Sequence, residues 1–139
     1  MNDPYHLQRF VDAQNPAYEH VRSELRQGEK RSHWMWCIFP QIAGLGHSAM
    51  ARTFAISSLD EAKGYLQHTI LGPRLTECTT LVTAVSGRTI EQIFGSPDDL
   101  KFRSSMTLFA HATSDNRAFH EALQKYFNGE NDPMTVERL

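Results

Sequence analysis

Apolar residues recur along the chain at helical spacing, and short polar signals separate the segments that carry them. The clearest case is the stretch from Ile70 to Val85, whose apolar or small positions share one side: Leu71, Leu75, Cys78, Leu81, Val82 and Val85. A period between three and four residues is typical of an amphipathic helix, whereas alternation with period two is typical of a strand. Because no stretch sustains that alternation, the chain is predicted to be all-α.

Capping signals predict the boundaries of the other helices. Asp3-Pro4 predicts a helix through about Gln14, and Asn15-Pro16 opens a second helix that Gly28 ends. Further helices are predicted from Ser58 to His68, Thr89 to Phe94, Asp98 to Ala112, Asp115 to Asn128 and, briefly, from Asp132. The first of these opens on a capping box, in which the Ser58 hydroxyl accepts from the Glu61 amide and the Glu61 carboxylate reaches back. The prediction is one compact domain, residues 1–139, of about seven or eight short helices.

Composition and charge narrow the class of protein. A chain of 139 residues, 40% hydrophobic and 22% charged, suits one globular domain. Its net charge of −2 is spread evenly, with seven basic and seven acidic residues in 1–70 and seven basic and nine acidic in 71–139. A nucleic-acid binder usually has a basic excess, so nucleic acid is disfavoured as a partner.

The N-terminus lacks a signal-peptide pattern, and no apolar run approaches the roughly 20 residues of a membrane span. The expectation is a cytoplasmic protein without a membrane partner.

The cysteines and histidines do not predict a metal site or a cofactor. Cys37 and Cys78 are not in a CxxC pair and have apolar or small neighbours, so both are predicted to be buried thiols. None of the seven histidines has a ligand spacing such as HxxxH. No metal or cofactor is therefore predicted.

The segment from Arg31 to Ser48 has the most distinctive chemistry. Both tryptophans lie here, two residues apart and therefore roughly 200° apart on a helix, so that one can pack in the core while the other lines a pocket. The alternative is that both simply fill the core. The glycine-rich turn at residues 44–48 can present backbone amides to an anion, although a sharp loop between helices explains it equally well. The candidate binding residues of this segment are Arg31, Trp34, Trp36, Gln41, Gly44, Gly46 and Ser48.

A second candidate element is the helix predicted from Asp98 to Ala112. One stripe of this helix mixes polar and aromatic side chains: Asp98, Lys101, Phe102, Ser105 and Phe109. Such a mixture suits a pocket rim, where Lys101 and Ser105 can bind a phosphate or carboxylate. The alternative is an Asp98–Lys101 surface pair beside an ordinary core. Ser104 is a further candidate, or else a buried hydroxyl bonded to its own helix.

Three long segments of the chain resemble a known family. RSHWMWCIFPQIAGLG, SSLDEAKGYLQHTILGPRLTEC and IFGSPDDLKFRSSMTLF are similar to the bacterial family catalogued as domain of unknown function 1810, sometimes labelled calpastatin. The resemblance covers nearly the whole chain and implies a mainly helical single domain. It implies no catalytic residue, because the family has no established activity. Cys37 stands where an aromatic residue is expected in this family.

Two hypotheses of function come from these observations. The first is that the protein binds a phosphate-bearing, nucleotide-like small molecule, such as an ADP-ribose or NAD derivative. The ligand would lie between the tryptophan segment and the helix from Asp98. A looser similarity to the helical NADAR group, whose members handle ADP-ribose, agrees with it by analogy alone. His33, Asp98 and Ser105 are the candidates for proton transfer, and whether the protein is an enzyme is left open. The second hypothesis is a non-catalytic protein–protein interaction module that uses exposed aromatic residues.

Overall fold

The computed structural model describes residues 3–139 and contains ten helices within them. The helices are α1 (Gln8–Gln14), α2 (Tyr18–Gln27), α3 (Met35–Ile38), α4 (Ala49–Thr53), α5 (Leu59–Gln67), α6 (Leu71–Thr83), α7 (Ile90–Phe94), α8 (Asp98–His111), α9 (Arg117–Phe127) and α10 (Pro133–Val136). Met1 and Asn2, the first residues of the predicted 1–139 domain, lie outside the described part. No helix of residues 3–139 is both long and apolar enough to cross a membrane.

The all-α prediction is confirmed, but the predicted number of seven or eight helices is wrong. The difference lies mainly between Trp34 and Phe54, where α3 and α4 have only four and five residues. Helices this short contain about one turn, so they are too brief to show an apolar period in the sequence.

The capping signals are confirmed only in part. The Ser58 hydroxyl accepts from the Glu61 amide at 3.1 Å, as predicted, but the Glu61 carboxylate accepts from the Ser57 amide at 2.9 Å instead of reaching back to Ser58. Helix α1 begins at Gln8, later than Asp3-Pro4 predicts, because His6 adopts a left-handed conformation with φ 52°. The Asp3 carboxylate still caps this end, accepting from the Leu7 amide at 2.8 Å.

Helix α8 is the centre of the core. All its residues from Ser104 to Ala110 are buried, and it packs against α5, α7, α9 and α10. The Phe102 ring lies 5.0 Å from both the Phe39 and the Phe94 rings, measured between centroids. A helix segment that is buried on every side, as residues 104–110 are, cannot show a simple amphipathic pattern. Cys37 and Cys78 are buried free thiols, as predicted.

Candidate functional site

Residues 41–55 form a loop, containing α4, that is closed at its base. Ile42 and Ile56 are buried and pair in a parallel bridge. The Ile56 amide donates to the Gln41 carbonyl at 2.9 Å, and the Ala43 amide donates to the Ile56 carbonyl at 2.8 Å. Because both ends are tied to each other and to the core, the loop is held in place although little of it is regular structure. We call it the 41–55 loop.

Arg9 fixes the far end of the 41–55 loop from outside. Its guanidinium donates to the carbonyls of Thr53 and Ala55, both at 2.9 Å, and to the Glu61 carboxylate at 2.9 Å. One side chain of α1 therefore connects the end of α4 to α5. This clamp holds in place the residues that follow α4, among them Phe54.

The first cavity lies between the 41–55 loop, α3 and α8 and has a volume of about 160 Å³. Its aromatic wall is the half-buried ring of Trp36 against Phe54, with centroids 4.6 Å apart and planes 33° apart. The other side chains and backbone groups that line it are Met35, Phe39, Gln41, Ile42, Ala43, Gly44, Gly46, Ser48, Ala51, Arg52, Ala55 and Lys101. The described lining thus includes two cations and no carboxylate.

Lys101 is placed by an ion pair. Its Nζ lies 3.5 Å from Asp98 Oδ1, while the nearly buried Lys30 places its Nζ 3.0 Å from Asp98 Oδ2. Two lysines therefore share one carboxylate, and the group of three has a net charge of +1. Because Lys30 is the closer partner, the charge of Lys101 remains available to an anion in the cavity.

A second cavity, of about 470 Å³, adjoins the first. The two share five lining residues, namely Gln41, Gly46, Ser48, Ala51 and Lys101. The second cavity is also lined by Leu45, His47, Pro97, Leu100, Arg103, Ser104, Asp132 and Met134. Lys101 and the Gly46–Ser48 turn therefore lie at the boundary between the two cavities.

Asp132, at the start of α10, is held in the second cavity by its neighbours. Its Oδ2 accepts from the hydroxyls of Ser104, at 2.7 Å, and Thr135, at 2.6 Å. The Asp132 amide donates to Thr107 Oγ1 at 2.9 Å. Partial burial by itself raises the pKa of this carboxyl group, but the hydrogen bonds from Ser104 and Thr135 outweigh it and lower the pKa. The group is therefore an ionised, preorganised hydrogen-bond acceptor.

The glycines of the loop are required by close contacts. Gly44 has φ +98°, and a Cβ atom there would lie 2.5 Å from the guanidinium of Arg138. A Cβ atom at Gly46 would lie 2.5 Å from the Ala51 methyl group. Packing thus explains both glycines. Even so, the N–H groups of residues 44–48 make no hydrogen bond of normal geometry to the rest of residues 3–139, so they are available to a ligand.

The structure brings together seven of the candidate binding residues. Trp36, Gln41, Gly44, Gly46, Ser48 and Lys101 line the first cavity, and Ser104 lines the second. The hydroxyl of Ser48 also caps α4 by accepting from the Ala51 amide at 3.1 Å. The hydroxyl of Ser104 lies 3.1 Å from the Leu100 carbonyl of its own helix as well as near Asp132.

The remaining candidates lie elsewhere. Trp34 is in the core, where its Nε1 donates to Glu24 at 3.0 Å. Arg31 is exposed and pairs with Glu29 at 3.0 Å, and His33 is exposed on the surface. Ser105 is fully buried, and its Oγ has no hydrogen-bond partner among residues 3–139. Asp98 contributes through Lys101 rather than as part of the cavity lining.

Sequence reasoning missed several lining residues, notably Arg52, Phe54 and Asp132. Arg52 and Phe54 belong to α4 and its end, and α4 was not predicted. In the sequence, Asp132-Pro133 predicts only a helix start, and nothing local indicates that it lies beside α8. In residues 3–139, no three His, Cys, Asp or Glu side chains gather into a potential metal site.

Comparison with known proteins supports the fold and the resemblance. The chain matches the model of the family described as "Protein of unknown function (DUF1810)" over residues 4–139. It is similar to the conserved hypothetical protein Rv1873 from Mycobacterium tuberculosis, a crystal structure with 59% sequence identity and a TM-score of 0.98. That match covers 99% of this chain and 98% of the other. The search of curated proteins gave no match.

Proposed function

We propose that this chain, which belongs to the DUF1810 family, binds a phosphate-bearing, nucleotide-like small molecule, such as an ADP-ribose or NAD derivative. The observation that carries the proposal is the first cavity, which combines the Trp36 ring with two cations and has no carboxylate in its described lining. No proton-transfer residue is assigned, because none of the three candidates, His33, Asp98 and Ser105, contributes to that lining.

The size and wall of the first cavity favour one planar ring. An engineered apolar cavity of about 150 Å³ admits benzene, and the first cavity has a similar volume, about 160 Å³. The rings of Trp36 and Phe54 already lie face to face with a moderate tilt. A ligand ring beside Trp36 would extend this aromatic contact in an offset arrangement, which is favourable for π-systems. A nucleobase is a ring of this kind.

The cations support an anionic group next to that ring. Lys101 and Arg52 both line the first cavity, and a lysine or arginine side chain is a common phosphate ligand. Gly44, Gly46 and Ser48 line the same cavity, and their backbone amides, which are not engaged in backbone hydrogen bonds within residues 3–139, are additional donors. A phosphate close to Lys101 would therefore have both charge complementarity and directed hydrogen bonds.

The interaction-module hypothesis also has one observation in its favour. Leu100 and Met134, which line the second cavity, are each 56% exposed, and Val136 and Leu139 near the C-terminus are 42% and 40% exposed. Exposed apolar groups of this kind can form the centre of a protein interface. The two hypotheses differ over Lys101, which is central to a phosphate site and peripheral to an apolar interface.

The test is isothermal titration calorimetry of the purified chain with ADP, NAD and ADP-ribose. We expect at least one of these to bind, and we expect Lys101→Ala to weaken that binding at least tenfold, since a charge-assisted hydrogen bond contributes about 1.5–3 kcal/mol. Folding should hardly change, because Asp98 keeps its closer partner Lys30.

The matched control is Lys63→Ala, which removes an exposed lysine of α5 that is not in the lining of either cavity. This variant should bind as the wild type does. Failure of all three nucleotides to bind, or a Lys101→Ala variant with unchanged affinity, would overturn the proposal and favour the interaction module.

A further inference from the structure

The two adjoining cavities differ in charge. The first has two cations, an aromatic wall and no carboxylate in its described lining, whereas the second adds the fixed carboxylate of Asp132 to the cations Lys101 and Arg103. Lys101 belongs to both and lies at their boundary. From the first cavity to the second, the lining therefore provides the Trp36 ring, then the positive charge of Lys101, then the hydrogen-bond acceptor Asp132.

We infer that the site is bipartite and takes a nucleoside diphosphate whose distal phosphate carries a sugar, with the sugar hydroxyls bound by Asp132 in the second cavity. This inference rests on the proposed function, and it names the ligand class and the second half of the site. The base lies beside Trp36, the phosphates lie at Lys101 and the Gly46–Ser48 turn, and the sugar lies toward α10.

Volume supports a ligand with two ends. The first cavity, at about 160 Å³, is below the roughly 300–1,000 Å³ of pockets that hold drug-sized ligands. The second, at about 470 Å³, is within that range and opens from the same wall. The first cavity has about the volume that holds one ring, so we expect a larger ligand that keeps its ring against Trp36 to extend past Lys101 into the second cavity.

The chemistry of Asp132 identifies the group at the far end. An ionised carboxylate only accepts hydrogen bonds, so its ligand must be a donor such as a hydroxyl group. A third phosphate in the same place would face the negative charge of Asp132. Exposed Leu100 and Met134 add apolar surface on which the C–H groups of a sugar ring can pack. A neutral sugar therefore fits the second cavity better than another phosphate.

Arg103 does not reverse this preference, because it is engaged in the fold. Its guanidinium donates to the carbonyls of Glu130 at 3.2 Å and Asn131 at 2.7 Å, and lies 3.7 Å from the Glu130 carboxylate. These bonds hold the turn that leads into Asp132. Arg103 thus helps to position the carboxylate, and Glu130 offsets part of its charge.

The experiment compares ligands that differ only beyond the second phosphate. Calorimetric titration of the wild type with ADP, ATP and ADP-ribose, and with UDP and UDP-glucose as a second pair, should give at least tenfold tighter binding for the sugar-bearing member of each pair. ATP should bind no better than ADP. The second pair separates the contribution of the sugar from the choice of base.

Two variants locate the effect. Asp132→Asn keeps an acceptor for Ser104 and Thr135 but loses the charge. It should remove most of the sugar preference without weakening the binding of ADP, because it takes a negative charge away from the phosphates. Leu100→Trp places a larger side chain at an exposed lining position, and should weaken only the sugar-bearing ligands without touching the Asp132 bonds. Glu137→Gln is the matched control, because it removes an exposed carboxylate at the end of α10 that lines neither cavity.

The outcomes distinguish the failure of the bipartite site from the failure of nucleotide binding itself. Equal binding of ADP and ADP-ribose, tighter binding of ATP, or a sugar preference that survives both variants would overturn the bipartite site but leave nucleotide binding in place. No binding by any nucleotide would overturn both. Should Asp132→Asn fail to fold, the Leu100→Trp comparison decides the question.

Discussion

Trp34 and Trp36 are two residues apart, yet they lie in different environments. Trp34 is closed into the core, with its indole N–H donating to Glu24 and its ring 6.3 Å from both Phe39 and Phe94. Trp36 packs against one ring, Phe54, and leaves part of its surface to a cavity. A buried tryptophan with its polar atom satisfied is structural, whereas one with an open face beside cations is available to a ligand.

The carboxylates of the two regions show the same difference. Glu24 accepts from the Arg31 amide at 2.7 Å and the Ser32 amide at 3.1 Å, and it also bonds the Ser32 hydroxyl and Trp34. All its partners belong to the turn that it holds against α2. Asp132 is also held by hydrogen bonds, from Ser104 and Thr135, but it lines a cavity. A fixed charge therefore indicates a ligand site only where there is space beside it.

The largest loss of stability is expected on replacing Trp34, the tryptophan of the core. Trp34→Ala removes a buried aromatic side chain and leaves the Glu24 carboxylate without one donor, so the free energy of unfolding should fall by about 3–5 kcal/mol. Urea denaturation followed by circular dichroism measures this. A loss below about 1 kcal/mol would show that Trp34 is not a core residue.

Glu24 should make stability depend on pH. Burial raises the pKa of Glu24, but the bonds from Ser32, Arg31 and Trp34 outweigh it and lower the pKa from 4.5 to about 2. The stabilisation is complete above pH 4.5, where the unfolded carboxyl group is ionised, and it is lost as pH falls toward 2. At about 1.4 kcal/mol for each tenfold change in proton affinity, it amounts to roughly 3 kcal/mol.

The check is denaturation of the wild type and Glu24→Gln at several values between pH 7 and pH 2. The difference in stability between them should shrink as the pH falls through this window. Glu29→Gln, which removes an exposed carboxylate of the same turn, should follow the wild type. A constant difference at every pH would contradict the assignment.

Trp36→Ala should affect stability less and binding more. The residue is half-buried and its main aromatic contact is Phe54, so the expected loss is about 1–2 kcal/mol. Nucleotide affinity should fall at least tenfold, measured by calorimetry. The distinction between a core tryptophan and a ligand-binding tryptophan would be wrong if Trp36→Ala binds nucleotide normally or destabilises the fold as much as Trp34→Ala.

The smallest effect on stability is expected at Lys101. Lys30 and Lys101 share Asp98, but Lys30 is nearly buried and its Nζ lies 5.4 Å from the centre of the Trp34 ring. Lys30→Ala should therefore lower stability by about 1 kcal/mol or more, whereas Lys101→Ala should change it by less than about 0.5 kcal/mol. Thermal denaturation of both variants measures the two losses of stability. Equal losses in Lys30→Ala and Lys101→Ala would contradict this prediction.

Much of the helical layout could be predicted because its causes are local. The period of apolar residues in α6 and the cap at Ser58 concern neighbours within a few residues. Helix α4 could not be predicted, since it is short and is held by the Ser48 cap, the bridge at its base and Arg9, which lies far away in the sequence.

The candidate site was predictable only as a set of residue types. The spacing of residues indicated Trp36, Lys101 and the glycine turn as candidates. It could not show which of Trp34 and Trp36 faces a cavity, because the orientation of a short helix depends on the residues that pack around it. Ser105 shows the same limit: it shares a helix stripe with Lys101 but is enclosed by neighbouring helices. Asp132 joins the site only because α10 packs on α8.

The sequence by itself determined the helical class, most helix ends and the family, because backbone hydrogen bonding, caps and apolar period act over short distances. Tertiary structure decided which tryptophan is open, that Asp132 and Lys101 line the same cavity, and that two cavities adjoin at Lys101. Those features depend on contacts between residues far apart in the chain, and such contacts exist only once the helices have packed.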